Sequence, residues 1–102
     1  MAYTRLNPKT ETNTPTPGVT VTRHGGICTL RLSERTLEPG WTTIGTIPTG
    51  YRPSELMTGA IIATGGSGSC GILKLETDGT LNAYNGLGSN RAFAGFLAYK
   101  LA

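Results

Sequence analysis

Cys70-Gly71-Ile72-Leu73-Lys74-Leu75-Glu76-Thr77-Asp78-Gly79-Thr80-Leu81-Asn82-Ala83-Tyr84 is the stretch on which the reading of the fold turns. Two short apolar runs, Cys70 to Glu76 and Thr80 to Tyr84, flank Thr77-Asp78-Gly79. Asp-Gly between such runs signals a β-hairpin, because the turn needs the positive φ that glycine supplies without steric cost. Side chains alternate along a strand, so Leu81 and Ala83 share one face and Tyr84 points the other way, out of the core. Before the hairpin, Leu56 to Thr64 is long and apolar, as expected of a central strand covered on both faces. Gly65-Gly66-Ser67-Gly68-Ser69 reads as a flexible loop between the two. After the hairpin, Asn85 to Arg91 is a Gly/Asn-rich loop, and Ala92 to Leu101 is the last strand. Phe93, Gly95, Leu97, Tyr99 and Leu101 take one face of it, and Ala94, Phe96, Ala98 and Lys100 take the other. Apolar residues on both faces imply that both are covered, one of them by another subunit.

The same alternation continues toward the N-terminus. Val19 to Arg23 reads as a strand, His24-Gly25-Gly26 as a turn, and Ile27 to Leu32 as a strand with Cys28, Leu30 and Leu32 inward. Ser33 to Gly40 is a polar connection, and Trp41 to Ile47 is the next strand. The prolines and glycine of Pro48-Thr49-Gly50-Tyr51-Arg52-Pro53 hold that segment as a loop. Residues 1–18 are polar and carry Pro8, Pro15 and Pro17, so an extended, weakly packed arm or linker is expected, with residues 19–102 as the folded domain. About seven short strands, no helix of ten or more residues and no internal repeat point to an all-β antiparallel sandwich of jelly-roll type.

Composition bounds the function. A chain of 102 residues holds one domain. Charged residues make up 15%, which with 15 glycines and abundant threonine describes a sheet protein with tight turns. The net charge of +3 comes from basic residues scattered along the chain, without the basic runs or interleaved aromatics of nucleic-acid binders, so no nucleic-acid partner is expected. No apolar run reaches a membrane span, and Met1-Ala2-Tyr3-Thr4-Arg5 lacks the apolar region of a signal peptide, so neither membrane insertion nor secretion is expected. Cys28 and Cys70 sit in apolar strand-like segments and read as buried free thiols.

Catalysis finds little to work with. His24 is the only histidine and lies in a glycine-flanked turn, whereas general acid–base work needs a positioned partner and a metal needs several convergent ligands. Glycoside hydrolysis needs two facing carboxylates; Glu55, Glu76 and Asp78 are the candidates, and the last two read as hairpin surface. The Gly65–Gly71 stretch lacks the lysine and following helix of a phosphate loop. No cofactor, no metal and no enzymatic activity are expected.

The most distinctive stretch is Trp41-x-x-Ile44-Gly45-Thr46-Ile47-Pro48-x-Gly50-Tyr51-Arg52-Pro53-Ser54. It resembles a pattern near the C-terminus of tail-tip and baseplate proteins of bacteriophages and prophages. Lys74-Leu75-Glu76-Thr77-Asp78-Gly79-Thr80-Leu81 and a terminal strand with an aromatic such as Tyr99 are similar too, so the resemblance covers about residues 19–101. It implies a receptor-binding head domain in the virion: a jelly-roll sandwich that assembles as a homotrimer and recognises saccharide on the host cell surface. In that setting the N-terminal arm would meet other virion proteins. The alternative is a structural capsid or baseplate decoration domain with protein partners only.

Sugar sites combine apolar rings with a few placed hydrogen-bonding groups. Tyr84, Asn85, Asn90 and Arg91 supply an aromatic, two amides and a guanidinium in or beside one loop. Trp41 and His24 are further candidates where folding brings them near. Tyr51 and Arg52 belong to the matched motif and either bind or fix the conformation of their loop. Ala94, Phe96 and Ala98 are the face expected at the subunit contact.

Overall fold

The computed structural model describes residues 10–65 and 70–102. They form eight strands: β1 (Thr10–Thr16), β2 (Val19–His24), β3 (Ile27–Leu37), β4 (Gly40–Thr46), β5 (Met57–Ala63), β6 (Cys70–Leu75), β7 (Thr80–Asn85) and β8 (Arg91–Lys100). All belong to one antiparallel sheet of order β1-β2-β3-β8-β5-β6-β7-β4. β8 pairs with β3 along most of its length but meets β5 only through Ile62↔Ala94 and Ala63↔Phe93. The sheet folds over at that narrow seam, bringing β1-β2-β3-β8 against β5-β6-β7-β4 in a sandwich-like curl.

The alternation seen in the sequence builds the core between these two wings. Val19 and Val21, Cys28, Leu30 and Leu32, Leu73 and Leu75, Leu81 and Ala83, and Phe93, Leu97 and Tyr99 are all buried at two-residue spacing. At roughly 25 cal/mol per Å² of apolar surface removed from water, this one shared face is the main source of stability. The Asp-Gly hairpin forms as expected, with Lys74 opposite Asn82 and Leu75 opposite Leu81. Gly79 takes φ +92°, and a Cβ there would sit 2.3 Å from the Ile47 carbonyl oxygen, so glycine is required on two counts. Asp78 accepts a hydrogen bond from the Thr80 amide, 2.9 Å, which lowers its pKa and locks the bend.

Three details differ from expectation. Residues 10–16, expected from the sequence to belong to an extended, weakly packed arm, are strand β1, paired with β2 of the same chain from Thr10↔His24 to Thr16↔Val19. Threonine favours the pleat, and Pro15 is tolerated because β1 is an edge strand whose register shifts between Asn13 and Thr16. The start of the arm, residues 1–9, lies outside the described residues, as do residues 66–69 of the Gly/Ser loop. Second, Ser33–Gly40 is not a plain connection. β3 continues through a bulge at Ser33 and Glu34, where Glu34 adopts φ 36°, and then resumes pairing with β8 as far as Leu37. Third, β5 is covered on one face only: Ile61 and Ala63 are buried, whereas Ile62 is 56% exposed.

The two edge strands nearly meet. A Cβ on Gly45 of β4 would lie 2.8 Å from Thr16 Cγ2 of β1. Arg35, just past the β3 bulge, reaches into this gap. Its Nη1 donates to Thr16 Oγ1 and the Pro17 carbonyl at 2.9 Å and lies 3.2 Å from the Ile44 carbonyl. We predict that Arg35→Met, which keeps the aliphatic stem, destabilises the domain by about 1–3 kcal/mol, the range for hydrogen bonds from a charged donor. Chemical denaturation measures this, and a loss under about 0.5 kcal/mol would show that the gap closes without the guanidinium.

Cys28 is a buried free thiol whose pKa is pushed up by burial. Its neighbour Tyr99 is pushed up as well, by burial first and by Cys28 second. Tyr99 donates to the Tyr51 carbonyl at 2.6 Å. Both groups hold their protons in the folded state at a pH where the unfolded chain loses them, so their contribution is complete below the free-thiol pKa of about 8.5 and declines as pH rises beyond it. The melting temperature is therefore expected to fall from about pH 9 upward, and less steeply in Cys28→Ala. Equal alkaline slopes for the two proteins would sink this account of Cys28.

Candidate functional site

The strand register places the expected site residues at two opposite ends of the domain. Leu37 pairs with Arg91, Gly40 with Asn85 and Ala63 with Phe93, so Trp41, Tyr84, Asn85, Asn90 and Arg91 share one end. His24, Tyr51 and Arg52 lie at the other, where His24 pairs with Ile27 and Pro53 bridges to Leu101. Folding does not bring His24 near Trp41.

The far end is tightly bonded within itself. His24 Nδ1 lies 2.8 Å from Thr10 Oγ1 on the neighbouring strand. Tyr51 is buried, with the Arg23 guanidinium 4.7 Å from its ring centroid. Arg23 also donates to the Gly50 carbonyl, 2.8 Å, and pairs with Glu11, 2.9 Å. Arg52 donates through Nε to the Ile47 carbonyl, 2.8 Å. In this arrangement the Gly-Tyr-Arg-Pro segment holds its own loop against β2 and the Asp-Gly turn.

At the near end, Asn85 has no free group to offer a ligand. It is 1% exposed, donates to the Leu37 and Ser89 carbonyls at 2.9 and 3.0 Å, and accepts from the Leu87 amide at 2.8 Å. These bonds tie the β7–β8 loop to the end of β3 across the core. Asn85 follows Leu81 and Ala83 at two-residue spacing, so the alternation that turned Tyr84 outward also turns Asn85 inward. Arg91 shares the inward phase of Phe93 and sits half-buried at the rim, its Nη1 against Gly65. Asn90 is exposed in the loop.

Trp41 and Tyr84 come together on the outer face. They are paired across β4 and β7, with ring centroids 5.1 Å apart and planes tilted by 42°. Trp41 is 54% exposed although it is the largest apolar side chain in the protein. The register sets Ile72 of β6, 40% exposed, beside Tyr84 and so continues the apolar row Trp41–Tyr84–Ile72. One outward position further along the strands runs a parallel polar row, Thr43–Asn82–Lys74. Thr43 donates to Asn82 Oδ1 at 2.6 Å, which engages the amide oxygen and leaves the NH2 of Asn82 as a donor. Trp41, Thr42, Thr43, Asn82 and Lys74 border an open groove of about 300 Å³. Thr43, Asn82, Ile72 and Lys74 were not among the residues expected from sequence, yet the hairpin turn and the outward phase of Tyr84 together predict the last three.

A larger concavity, about 490 Å³, lies on the β3–β8 face around Phe96, Arg31 and Glu34. Phe96 there is 67% exposed, Ala98 is exposed and Ala94 is half-buried. The smaller groove is bordered by Trp41, whose ring packs on Tyr84, and by the Thr43–Asn82 pair and Lys74. Among the described residues no three His, Cys, Asp or Glu side chains converge as metal ligands, and no helix is long and apolar enough to cross a membrane.

No protein-family model matches the chain, and no curated protein matches it in sequence. Among solved structures it is similar to the crystal structure of the head domain of the lactococcal phage bIL170, a receptor-binding domain, with a TM-score of 0.66 at 12% identity. The match covers 94% of this chain and 100% of that one. The eight antiparallel strands thus have the fold of that lactococcal-phage receptor-binding head domain, in keeping with the phage-type head implied by the resemblance over residues 19–101.

Proposed function

We propose that the protein is a virion receptor-binding head domain that recognises saccharide on the host cell surface without hydrolysing it, using the outer face around Trp41 and Tyr84. The observation that carries this reading is the exposed Trp41, packed on the half-buried Tyr84 and set beside a row of polar groups. An exposed tryptophan forfeits burial energy, and a ring next to fixed donors and acceptors matches a ligand with an apolar ring face and hydroxyl edges. Asn82 supplies amide donors, Thr43 an oxygen that still accepts, and Lys74 a cation with three donors. Asn90, exposed in the adjacent loop, is placed to add a contact at the rim. The fold likeness supports a role in receptor binding.

The domain is proposed to act as a homotrimer, with Ala94, Phe96 and Ala98 at the subunit contact. Among the described residues Phe96 and Ile62 are the most exposed large apolar side chains, and Ile62 lies opposite Ala94 in the sheet. Apolar patches of this kind mark interaction surfaces more often than bare solvent-facing surface. The segment before Thr10 would then connect the head to other virion proteins.

Two experiments test these readings. A fluorescently labelled domain is to be applied to a panel of Gram-positive bacteria that includes lactococci, and to polysaccharide purified from the strains it labels. Trp41→Ala and Tyr84→Ala are expected to weaken binding by about 1–3 kcal/mol, roughly five-fold to over a hundred-fold, with little change in melting temperature. No reducing ends should be released. Binding that survives treatment of the cells with periodate but not with protease would favour a protein partner and the structural-component alternative. For assembly, light scattering should give a mass of about three chains for the wild type and a smaller species for Phe96→Glu. A wild-type monomer at micromolar concentration would remove the trimer.

A further inference from the structure

The two rows described above do not stop at β6. Ala60 of β5 lies opposite Ile72, and Thr58 lies opposite Lys74. Both are exposed. The apolar row therefore extends from Trp41 on the sheet edge to Ala60 on the fourth strand, and the polar row keeps pace with it from Thr43 to Thr58. Neighbouring strands are about 4.8 Å apart, so the rows run about 14 Å across the sheet. Among the described residues no strand pairs with β4 beyond Trp41. At the other end the surface passes over β5 toward β8. The open groove of about 300 Å³, bordered by Trp41, Thr42, Thr43, Asn82 and Lys74, spans the β4, β7 and β6 part of this shelf.

We infer that this shelf takes an internal segment of a linear polysaccharide, laid perpendicular to the strands, rather than the terminal sugar of a glycan. This rests on the saccharide reading above and names the form of the ligand. A site for a chain end needs a barrier that stops the chain, as a pocket provides; an open shelf with matched rows instead repeats the same pair of contacts at each strand. Each sugar ring of such a chain sets an apolar face toward the row Trp41–Tyr84–Ile72–Ala60. Its hydroxyl edge meets in turn a hydroxyl, an amide, an ammonium group and a second hydroxyl. Contacts of similar kind at successive strands make affinity grow with the length of chain bound, until the shelf is filled. Once it is filled, further sugars add nothing.

The probe is the cell-wall polysaccharide of a strain that the domain labels, cut by partial acid hydrolysis and separated by size. Affinity measured by titration calorimetry should rise at least ten-fold from one sugar to about four and then level off. Ala60→Arg, at an exposed position remote from Trp41, should weaken the longer fragments several-fold, leave one- and two-sugar fragments as they are in the wild type, and keep the melting temperature. Trp41→Ala should weaken fragments of every length. Full affinity for a one- or two-sugar fragment, together with a neutral Ala60→Arg, would overturn the extended mode and leave saccharide recognition standing. Polysaccharide binding that is indifferent to both variants would overturn it too, by placing the ligand on another surface. If the domain labels no strain and binds no purified polysaccharide, both readings fall together.

Discussion

A single sheet can hide an apolar face from water only by folding over on itself, and every other feature of this domain follows from where that fold-over is closed. The hinge is the two-residue contact between β5 and β8, and the two wings are then held at their open margin by polar bonds that cross the core. Arg35 joins the end of β1 to β4, and Asn85 joins β7 to the last carbonyl of β3. These are the points where backbone groups would otherwise lose water without gaining a partner, a cost of about 1–3 kcal/mol for each buried group. A small core of this kind has little stability in reserve, so satisfying these margins weighs as much as filling the interior.

The same constraint divides the side chains into two sets. Inward positions are committed to the core, and outward positions of the central strands have no covering layer of their own. That is why Ile62, Ile72, Phe96 and Trp41 are exposed on a protein with few charges. An outer face so apolar is costly to leave in water, and the two readings argued here, ligand on β4-β7-β6-β5 and neighbouring subunits on β8, divide it and meet on β5 between Ala60 and Ile62.

Much of this could be read from the sequence because the period of a strand is two. The inward set from Val19 to Tyr99 and the Asp-Gly hairpin needed nothing beyond local pattern. What escaped was non-local. The bulge at Ser33–Glu34 hides the second half of β3, because inserting unpaired residues resets the alternation that would reveal it. β1 escaped because its prolines argue against a ladder that an edge strand can accommodate. For the site, Trp41 and Tyr84 stand some forty residues apart in the sequence, and only the pairing of β4 with β7 sets one ring against the other. Asn85 sits in a Gly/Asn-rich stretch whose composition reads as loop, although its phase belongs to β7, the strand it ends. The distance between His24 and Trp41 is a matter of topology that no local motif carries.

The Thr43–Asn82 hydrogen bond links two outward residues that make no other side-chain bond among the described residues. An amide held in this way presents its donors in one orientation before anything arrives, so little rotamer freedom is lost on contact. The outward rows as a whole sit on a frame whose stability is determined by other residues. Substitutions along them change the chemistry shown to the outside and leave the fold nearly untouched. Variation along these rows can therefore change what the outer face contacts one residue at a time, without first having to acquire spare stability.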